Sequence, residues 1–470
     1  MGSLFSALNT AAGALSAFNK AIDVTQNNVA NANTPGWAAQ NPVMESVNIQ
    51  SADGTVGGVT EETINSRNPL ADTAVQQAQS LMGKFQQLQT SLAPVQTAMD
   101  VTSSSAIPSA LNELFSAFSQ WSTQPTNGTY QTGVINAAQD VSEAFQEVSA
   151  QLNSAAGTVT QNLQSTVTQI NQDAAEIQGF NAQIAAGNSN PGLQAQIEST
   201  LENLSSLANI QTLPGAGGTI TVLLGGQTPL VIGTTVDALS VGTNVAGATN
   251  GPPTSTILDS NGNDVTSQVT SGSLGALLSV GNNLIPSLIG GGSQTGGLNT
   301  LAKSLADTVN NLLESGSTTA TPPFQAGSAL FTYNANPPSG IAATLGVTPN
   351  FQGSQLAAVQ TGPPQVSNGI ALQLANLDTN PAGQINGQSF SGYFASLAAN
   401  VGNAVSSANT SATAQQQAVS QAQSLQQQLS GVSLDQQAVQ LVQIQSAYQA
   451  ASKVVTVIDQ ITQSLMDMVQ

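Results

Sequence analysis

Three pairs of acidic residues lie one helical turn apart, a spacing that places two carboxylates on one face of a helix. The pairs are Glu143 with Glu147, Asp173 with Glu176, and Glu198 with Glu202. Paired carboxylates of this kind act as general acid and base in glycoside hydrolysis, or bind a metal ion. No histidine and no aromatic sugar platform accompanies any of them. We therefore interpret all three pairs as solvated faces of helices.

Two other segments have ligand-like composition. The run from Asp259 to Asp264 offers oxygens at alternate positions, but it lacks the glycine and the glutamate that a calcium-binding EF-hand loop needs. Its Asn261–Gly262 step predicts a hairpin turn instead. The glycine clusters at 215–218 and 290–297 lack the Gly-Lys-Ser/Thr ending of a phosphate loop. We predict no catalytic, cofactor or metal site.

The composition narrows the function further. The 470 residues include no cysteine and no histidine, which removes thiolate chemistry, disulfides, the usual zinc sites and the commonest general base. The net charge is −19, with 24 acidic against five basic residues, which argues against nucleic acid or an anionic membrane as a partner. No apolar run is expected to span a bilayer. We predict that the protein is not an enzyme.

The elements that organise this chain are two helices with heptad spacing, one at each end. The first runs through residues 1–37 and ends where Pro35 prevents further helix. Its apolar positions recur every three or four residues, the period of a narrow seam that another helix must cover. They are Leu4, Leu8, Ala11, Leu15, Phe18, Ile22 and Val29, with Thr25 in the one polar step.

The second seam begins near Leu434 and continues to the end of the sequence. Its positions are Leu441, Ile444, Tyr448, Ala451, Val455, Ile458, Thr462, Leu465 and Val469. The two seams can cover each other only if the ends of the chain come together. We predict a coiled-coil-like pair of terminal helices that form an assembly interface.

Between the seams the periodicity changes twice. Helical spacing fills most of 71–209 and resumes after 271, whereas 213–271 reads as short β-strands between glycine pairs. The predicted fold is mainly α with an inserted β-rich module: an α+β, multidomain chain with a long antiparallel helical body and an outer β domain. The predicted domains are a terminal core with its linker (1–67 and 432–470), a helical body (68–212, 272–315 and 366–431) and the β module (213–271, with 316–365 as a candidate addition).

The terminal motifs resemble those of a known family. The segment NNVANANTPGW after the first helix is similar to the N-terminal signature of the flagellar rod, hook and hook-associated axial proteins. The C-terminal SGVSLDQQAVQLVQIQSAYQAASKVV resembles the partner helix of that group, closest to its hook-associated members. Interior segments, among them LNELFSAFSQWSTQP and LNTLAKSLADTVNNLL, follow the order of the family. The motif residues are Asn28, Asn31, Asn33, Pro35, Gly36 and Trp37.

The resemblance implies a structural, axial component of the bacterial flagellum. Proteins of this kind form the hook–filament junction and allow the filament to assemble on the hook. The implied partners are further copies of the chain in a ring, the hook protein, a second junction protein, an export chaperone and the type III export apparatus. The implied location is extracellular, on the flagellum, after export without a cleaved signal peptide. No cofactor, nucleic acid or membrane is implied.

Two alternatives remain open on the sequence. Another axial protein, such as a hook or distal rod protein, has similar terminal seams. A secreted surface adhesin or carbohydrate-binding protein would use the β module, but it would leave the matched terminal seams unexplained.

Overall fold

The structure is a computed structural model that describes residues 2–51, 54–103, 106–188, 190–244, 251–335, 340–379 and 384–468, with the backbone alone at 2–5, 47–51, 54–58 and 244. Within these ranges the α-helices are α1 (Gly2–Ala30), α2 (Pro69–Ala98), α3 (Ile107–Thr123), α4 (Gly128–Ala185), α5 (Pro191–Leu207), α6 (Gly272–Ser279), α7 (Ile285–Ile289), α8 (Gly297–Ser315), α9 (Gly369–Ala375), α10 (Phe390–Ser430) and α11 (Leu434–Asp467). A π-helical turn, Val280–Leu284, joins α6 to α7.

The strands form small antiparallel sheets. They are β1 (Gln40–Ser51), β2 (Gly54–Asn65), β3 (Ile210–Pro214), β4 (Ile220–Leu224), β5 (Thr228–Ile232), β6 (Thr235–Val236), β7 (Ser240–Asn244), β8 (Thr254–Leu258), β9 (Phe331–Thr332), β10 (Gly346–Val347), β11 (Gln384–Ile385) and β12 (Gln388–Ser389). Strands β3 to β6 make a four-stranded sheet in sequence order, and the others pair as β1–β2, β7–β8, β9–β10 and β11–β12.

The long helices begin at side chains that cap their free backbone N–H groups. Asn68 and Asn190 accept hydrogen bonds from the first turns of α2 and α5, and a proline follows each of them. Ser433 accepts from the Gln436 N–H at the start of α11. The chain between α10 and α11 is therefore a sharp, capped break, and α10 continues through the glutamine-rich run before it.

The helical body has one continuous hydrophobic core. In it α2 packs on α10, and α3 packs on α4 and α9. The core extends from Leu92 to Ala408 and includes parts of the β module. Its largest fully buried side chains are aromatic: Phe118, Trp121, Phe145, Phe331, Phe390 and Phe394. The predicted class, mainly α with an inserted β-rich module, is confirmed.

The two ends of the β module meet at one point on the body. Gly272 opens α6 with φ +74°, and a Cβ there would lie 2.4 Å from the Ala208 nitrogen at the end of α5. The Asn209 side chain closes the same junction. Its Nδ2 donates to the Gln268 carbonyl at 2.8 Å, and its Oδ1 accepts from the Thr270 N–H at 3.0 Å. The chain thus leaves the body and returns to it through adjacent residues.

Several expectations need correction. Residues 40–65 look polar and irregular in sequence, yet β1 and β2 form a twelve-residue ladder there. Helix α4 ends at Ala185 and α5 begins at Pro191, so the helical stretch expected at 71–209 is broken there. The chain does turn at Asn261–Gly262, but the ladder partner of β8 is β7, and the segment after the turn adds one isolated bridge at Asp264.

One described helical stretch, Gly272–Ile289, is long and apolar enough to cross a membrane by length and composition alone. The expectation that no apolar run reaches this length was therefore wrong. The stretch is 61% buried inside the protein, where α6 packs on α2 and α4. Its apolar character is that of a core helix.

Candidate assembly interface

The terminal helices α1 and α11 pack on each other. On α11 the side facing α1 is the predicted seam. Ile444 and Ile458 are buried, while Leu441, Tyr448 and Val455 are half-buried. Leu465, near the end of the helix, is 37% exposed, and Val469 lies outside the described residues. The heptad pattern thus correctly located the packed face of this helix.

On α1 the packed face differs from the predicted seam. The buried residues are Ala11, Ala17, Ala21, Thr25 and Asn28. Ala11 and Thr25 are positions of the predicted seam, whereas Ala17, Ala21 and Asn28 each directly precede a seam residue. The packed face therefore overlaps the seam but is partly rotated from it, by up to about 100°. The larger seam residues Leu8, Leu15, Phe18 and Ile22 are only half-buried, and the side chain of Leu4 is not described.

Small side chains explain this rotation. Helix α1 contacts both α11 and the β1–β2 hairpin, and the Val59 carbonyl lies 3.8 Å from where a Cβ of Gly13 would be. The small side chains of Ala17 and Ala21 are buried among these elements, whereas the larger Phe18 and Ile22 beside them stay half-buried. Val29, which the seam includes, is 46% exposed.

Asn28 is the polar centre of the terminal pair and is completely buried. Its Nδ2 donates to the Gln40 carbonyl at 2.7 Å and to Gln437 Oε1 at 3.0 Å. Its Oδ1 accepts from the Gln40 N–H at 2.9 Å and from Trp37 Nε1 at 3.4 Å. One amide therefore joins α1, the start of β1 and α11, and leaves none of its own groups unpaired.

The other motif residues shape the loop after α1. The Asn31 amide donates to the Asn27 carbonyl at 2.9 Å, and Thr34 donates to Asn31 Oδ1 at 3.1 Å. Gly36 has φ +72°, and a Cβ there would lie 2.4 Å from the Ala195 carbonyl oxygen of α5. Glycine is required by both facts. Asn33 and Pro35 are exposed at the tip.

The loop meets the body at Arg67, the one arginine in the sequence. Its guanidinium donates to the Gly36 carbonyl at 2.5 Å and lies 3.5 Å from Asp72 and 3.4 Å from Glu198. Amides complete the cluster. Gln76 donates to Glu198 at 3.1 Å, and Gln426 of α10 donates to Asp72 at 2.8 Å and to Glu202 at 3.4 Å. We call these residues the Arg67 cluster: Arg67, Asp72, Gln76, Glu198, Glu202 and Gln426.

The prediction of a solvated face is wrong for Glu198, which is 6% exposed. Burial, together with the nearby Asp72 carboxylate, raises the pKa of Glu198 to about 7, although Arg67 opposes the shift. Burial also raises the pKa of Glu202. The sequence could not reveal this cluster, because its members lie up to 359 positions apart (67 to 426). The presence of a single arginine in the sequence was the one feature that could have pointed to this cluster.

The remaining acidic pairs lie elsewhere. Glu143 and Glu147 are exposed, as expected, and each accepts a hydrogen bond from a glutamine one turn away. Asp173 is buried against expectation, and burial raises its pKa, whereas Glu176 is exposed. Among the described residues, no group of three acidic, histidine or cysteine side chains is arranged to hold a metal ion.

Helix α11 also has a second apolar stripe, which is left exposed by the part of the chain that the structure describes. Val439, Val442 and Val457 are 60%, 62% and 51% exposed. Val442 lies two residues before the buried Ile444, and Val457 directly precedes the buried Ile458, so these valines are rotated by roughly 100° to 160° from the buried face of the helix. We call the exposed apolar residues on this side the outer stripe: Val439, Val442, Val454, Val457, Ile461 and Met468.

Comparison with known proteins shows which families have similar terminal helices. The profile of the flagella basal body rod protein matches residues 8–37, and that of the flagellar basal body rod FlgEFG protein C-terminal matches residues 425–468. These are the motif helix and its partner. A chain with this pair of terminal helices around a helical body is a structural, axial protein of the bacterial flagellum.

The helical body identifies the family. The profile of the flagellar hook-associated protein FlgK helical domain matches residues 92–331, half of the chain. Flagellar hook-associated protein 1 of Bacillus subtilis (strain 168) is 26% identical over 509 aligned positions that cover 99% of each chain. The flagellar hook junction protein FlgK of Burkholderia pseudomallei has the same fold, with a TM-score of 0.64, 16% identity, and coverage of 76% of this chain and 100% of that one. This chain belongs to the FlgK family of hook-associated proteins, components of the flagellar hook–filament junction.

Proposed function

We propose that this protein forms a ring of identical subunits on the distal end of the hook and thereby allows the filament to assemble there. In this role it is a structural subunit and not an enzyme. The observation that carries the proposal is that α11 has exposed apolar residues, the outer stripe, in addition to the face that packs on α1. One face packs on α1, and the outer stripe is available for the terminal helices of a neighbouring copy.

The size of α11 and its low charge support this arrangement. A helix of 34 residues is about 50 Å long, so the outer stripe offers neighbouring copies an extended apolar line. Helix α1 has two charged residues, Lys20 and Asp23, and α11 has four. Helices with so few charges pack side by side without strong repulsion between like charges.

In the proposed arrangement the chain is divided into an assembly core, a helical body and an outer module. Residues 1–67 and 432–470 act as the assembly core. Residues 68–212, 272–315 and 366–431 act as the helical body, and 213–271 as the outer module. Strands β9 and β10, within the candidate addition 316–365, contact α8 and α4. The assembly interface comprises the predicted seam residues of both terminal helices together with the outer stripe, while the motif residues from Asn28 to Trp37 connect the core to the body.

The proposed partners are the hook protein below the ring, a second junction protein above it, and an export chaperone before assembly. The proposed location is outside the cell, reached through the type III export apparatus without a cleaved signal. The absence of cysteine is compatible with passage of an unfolded chain through a narrow channel.

The test is a single charge on the outer stripe. The Val457→Asp variant is expected to leave the monomer as stable as the parent, because Val457 is 51% exposed, but to abolish assembly. Gln445→Asp is the matched control: it introduces the same residue at an exposed position of α11 outside both apolar faces. The measurements are the urea midpoint of the monomer and the number of filaments on cells that express each variant.

Deletion of the gene supplies the second arm. Hooks without filaments, with flagellin lost to the medium, are expected. Intact filaments after deletion would overturn the junction role, and loss of the hook itself would instead indicate a hook or rod protein. Full filament assembly with Val457→Asp would overturn the proposed interface while leaving the family unchanged.

A further inference from the structure

The Arg67 cluster lies at the joint between two parts of the molecule. Arg67 ends the segment that follows the β1–β2 hairpin, and its guanidinium reaches the loop after α1 through the Gly36 carbonyl. The acidic partners belong to the body: Asp72 is on α2, and Glu198 is on α5. A change in this cluster therefore acts on the connection between the terminal helices and the body.

The loop after α1 covers Glu198 directly. A Cβ on Gly36 would lie 3.3 Å from the Glu198 Cβ and 2.4 Å from the Ala195 carbonyl oxygen, so the two backbones are in close contact. The hairpin is tied down beside them, because the Asn65 side chain donates to Gln194 of α5. If the loop lifted from α5, water would reach the Glu198 carboxylate.

The charges within the cluster do not balance. One guanidinium faces three carboxyl groups, those of Asp72, Glu198 and Glu202, and the other two members are neutral amides. Full ionisation would leave two uncompensated negative charges in a site where the Glu198 and Asp72 side chains are each 7% exposed. Such a site favours the uptake of a proton.

The surrounding elements supply no further cation. The loop from Ala32 to Ala38 and helix α6 have no titratable side chain, and α10 contributes only Gln426. On α2, Lys84 donates to the Thr270 carbonyl and is thereby directed away from the cluster. On α4, Glu176 accepts from Thr200, and Asp173 accepts from Gln169.

We propose that the Arg67 cluster is a proton-dependent latch that holds the terminal helices and their hairpin at a fixed orientation on the body. With Glu198 protonated, the cluster has one net negative charge instead of two, and the loop stays on α5. With Glu198 ionised, repulsion from Asp72 and Glu202 favours the state in which the loop has lifted and the carboxylate is hydrated.

The direction follows from proton linkage. The pKa of Glu198 is about 7 in the closed latch, against 4.5 for the same group in water. The proton therefore stabilises the closed latch fully below pH 4.5, and this stabilisation is lost as the pH rises through 7. The latch is a property of the single chain, so it is tested without ring assembly.

Because the sequence has no cysteine, spin labels attach only to cysteines that are introduced, and the distance between two chosen positions can be measured. Spin labels on Asn19→Cys, an exposed position of α1, and Gln172→Cys, an exposed position of α4, report the orientation of the terminal pair relative to the body. Double electron–electron resonance on the monomer is expected to give one narrow distance distribution at pH 5.5. At pH 8.5 the distribution is expected to be at least twice as wide, with a midpoint near pH 7.

The isosteric variant Glu198→Gln cannot ionise and is expected to keep the narrow distribution at both pH values. Glu143→Gln removes an exposed carboxylate from α4 and serves as the control, with the pH response of the parent. An equal width at pH 5.5 and 8.5 in the parent would overturn the latch, as would an unchanged pH response in Glu198→Gln. If Glu198→Gln failed to fold, as judged by circular dichroism, the parent titration alone would decide.

Discussion

The helical body and the terminal helix pair bury their residues differently. The body has a continuous core in which Leu114, Phe118 and Trp121 have no exposed surface. No described residue of α1 or α11 belongs to that core. The terminal pair instead buries alanines on α1 and two isoleucines on α11, and the amide of Asn28 joins the two helices.

This difference separates two tasks within one chain. Large apolar side chains, fully removed from water, supply most of the stability of a domain, and the body has them in quantity. The terminal pair has few, and it leaves the outer stripe in contact with water. We expect a region packed in this way to keep its shape in the single chain. We also expect it to become more stable when a neighbouring copy covers the outer stripe.

The largest expected effect compares the same substitution in both regions. Leu114→Ala removes a side chain with no exposed surface and is expected to lower the free energy of unfolding by about 2–5 kcal/mol. Leu441→Ala, at a half-buried position of α11, is expected to cost less than about 1 kcal/mol in the monomer. Urea denaturation followed by circular dichroism measures both. Equal losses would remove the distinction between body and terminal pair.

An intermediate effect concerns the polar centre of the terminal pair. Asn28→Leu keeps the approximate volume but leaves the backbone of Gln40 and the side chain of Gln437 without their partner. The expected loss is about 1–3 kcal/mol, confined to the terminal helices and visible as faster hydrogen exchange in α1. Asn33→Leu, at an exposed motif position, is the control and is expected to change exchange little. Unchanged exchange in Asn28→Leu would contradict the central role of this amide.

The smallest effect uses the positions of the lysines as trypsin sites. Lys20 on α1 and Lys453 on α11 are exposed, and so is Lys303 on the body helix α8. Cleavage of a helix requires local opening, and each 1.4 kcal/mol less of opening free energy speeds it about tenfold. Cleavage of monomeric protein at Lys20 and Lys453 is expected to be about tenfold faster than at Lys303. Similar rates at all three sites would count against a weakly held terminal pair.

The spacing of the apolar residues predicted most of the helices. It predicted the packed face of α11, but only part of the packed face of α1. On α11 the residues at heptad spacing include the buried Ile444 and Ile458, so their spacing located the packed face even though other apolar residues of the helix are exposed. On α1 the contacts depend on Ala17 and Ala21, and small residues produce no signal in a pattern built on large ones. The β1–β2 ladder was not predicted either, because its largely polar sequence lacks the regular alternation of apolar and polar residues that is typical of a half-buried strand.

The Arg67 cluster was beyond reach of the sequence for a different reason. The spacing of Glu198 and Glu202 correctly placed both carboxyls on one side of α5. Whether that side faces water depends on α2 and on the loop at Gly36, which are distant in the sequence. Burial of a charged side chain is a property of the tertiary structure. The pattern on α5 alone therefore predicted that Glu198 is exposed, whereas α2 and the loop at Gly36 cover it.

The junction at Ala208, Asn209 and Gly272 has a consequence for how this chain can change over evolution. An insertion that begins and ends at the same point can vary in length at its exposed turns without changing the path of the chain through the body. The strands from Ile210 to Leu258 combine this single point of attachment with residues of the common core, such as Leu224 and Ile257. We therefore expect changes of length to be tolerated at the exposed turns between the strands and not at the face that packs on α4.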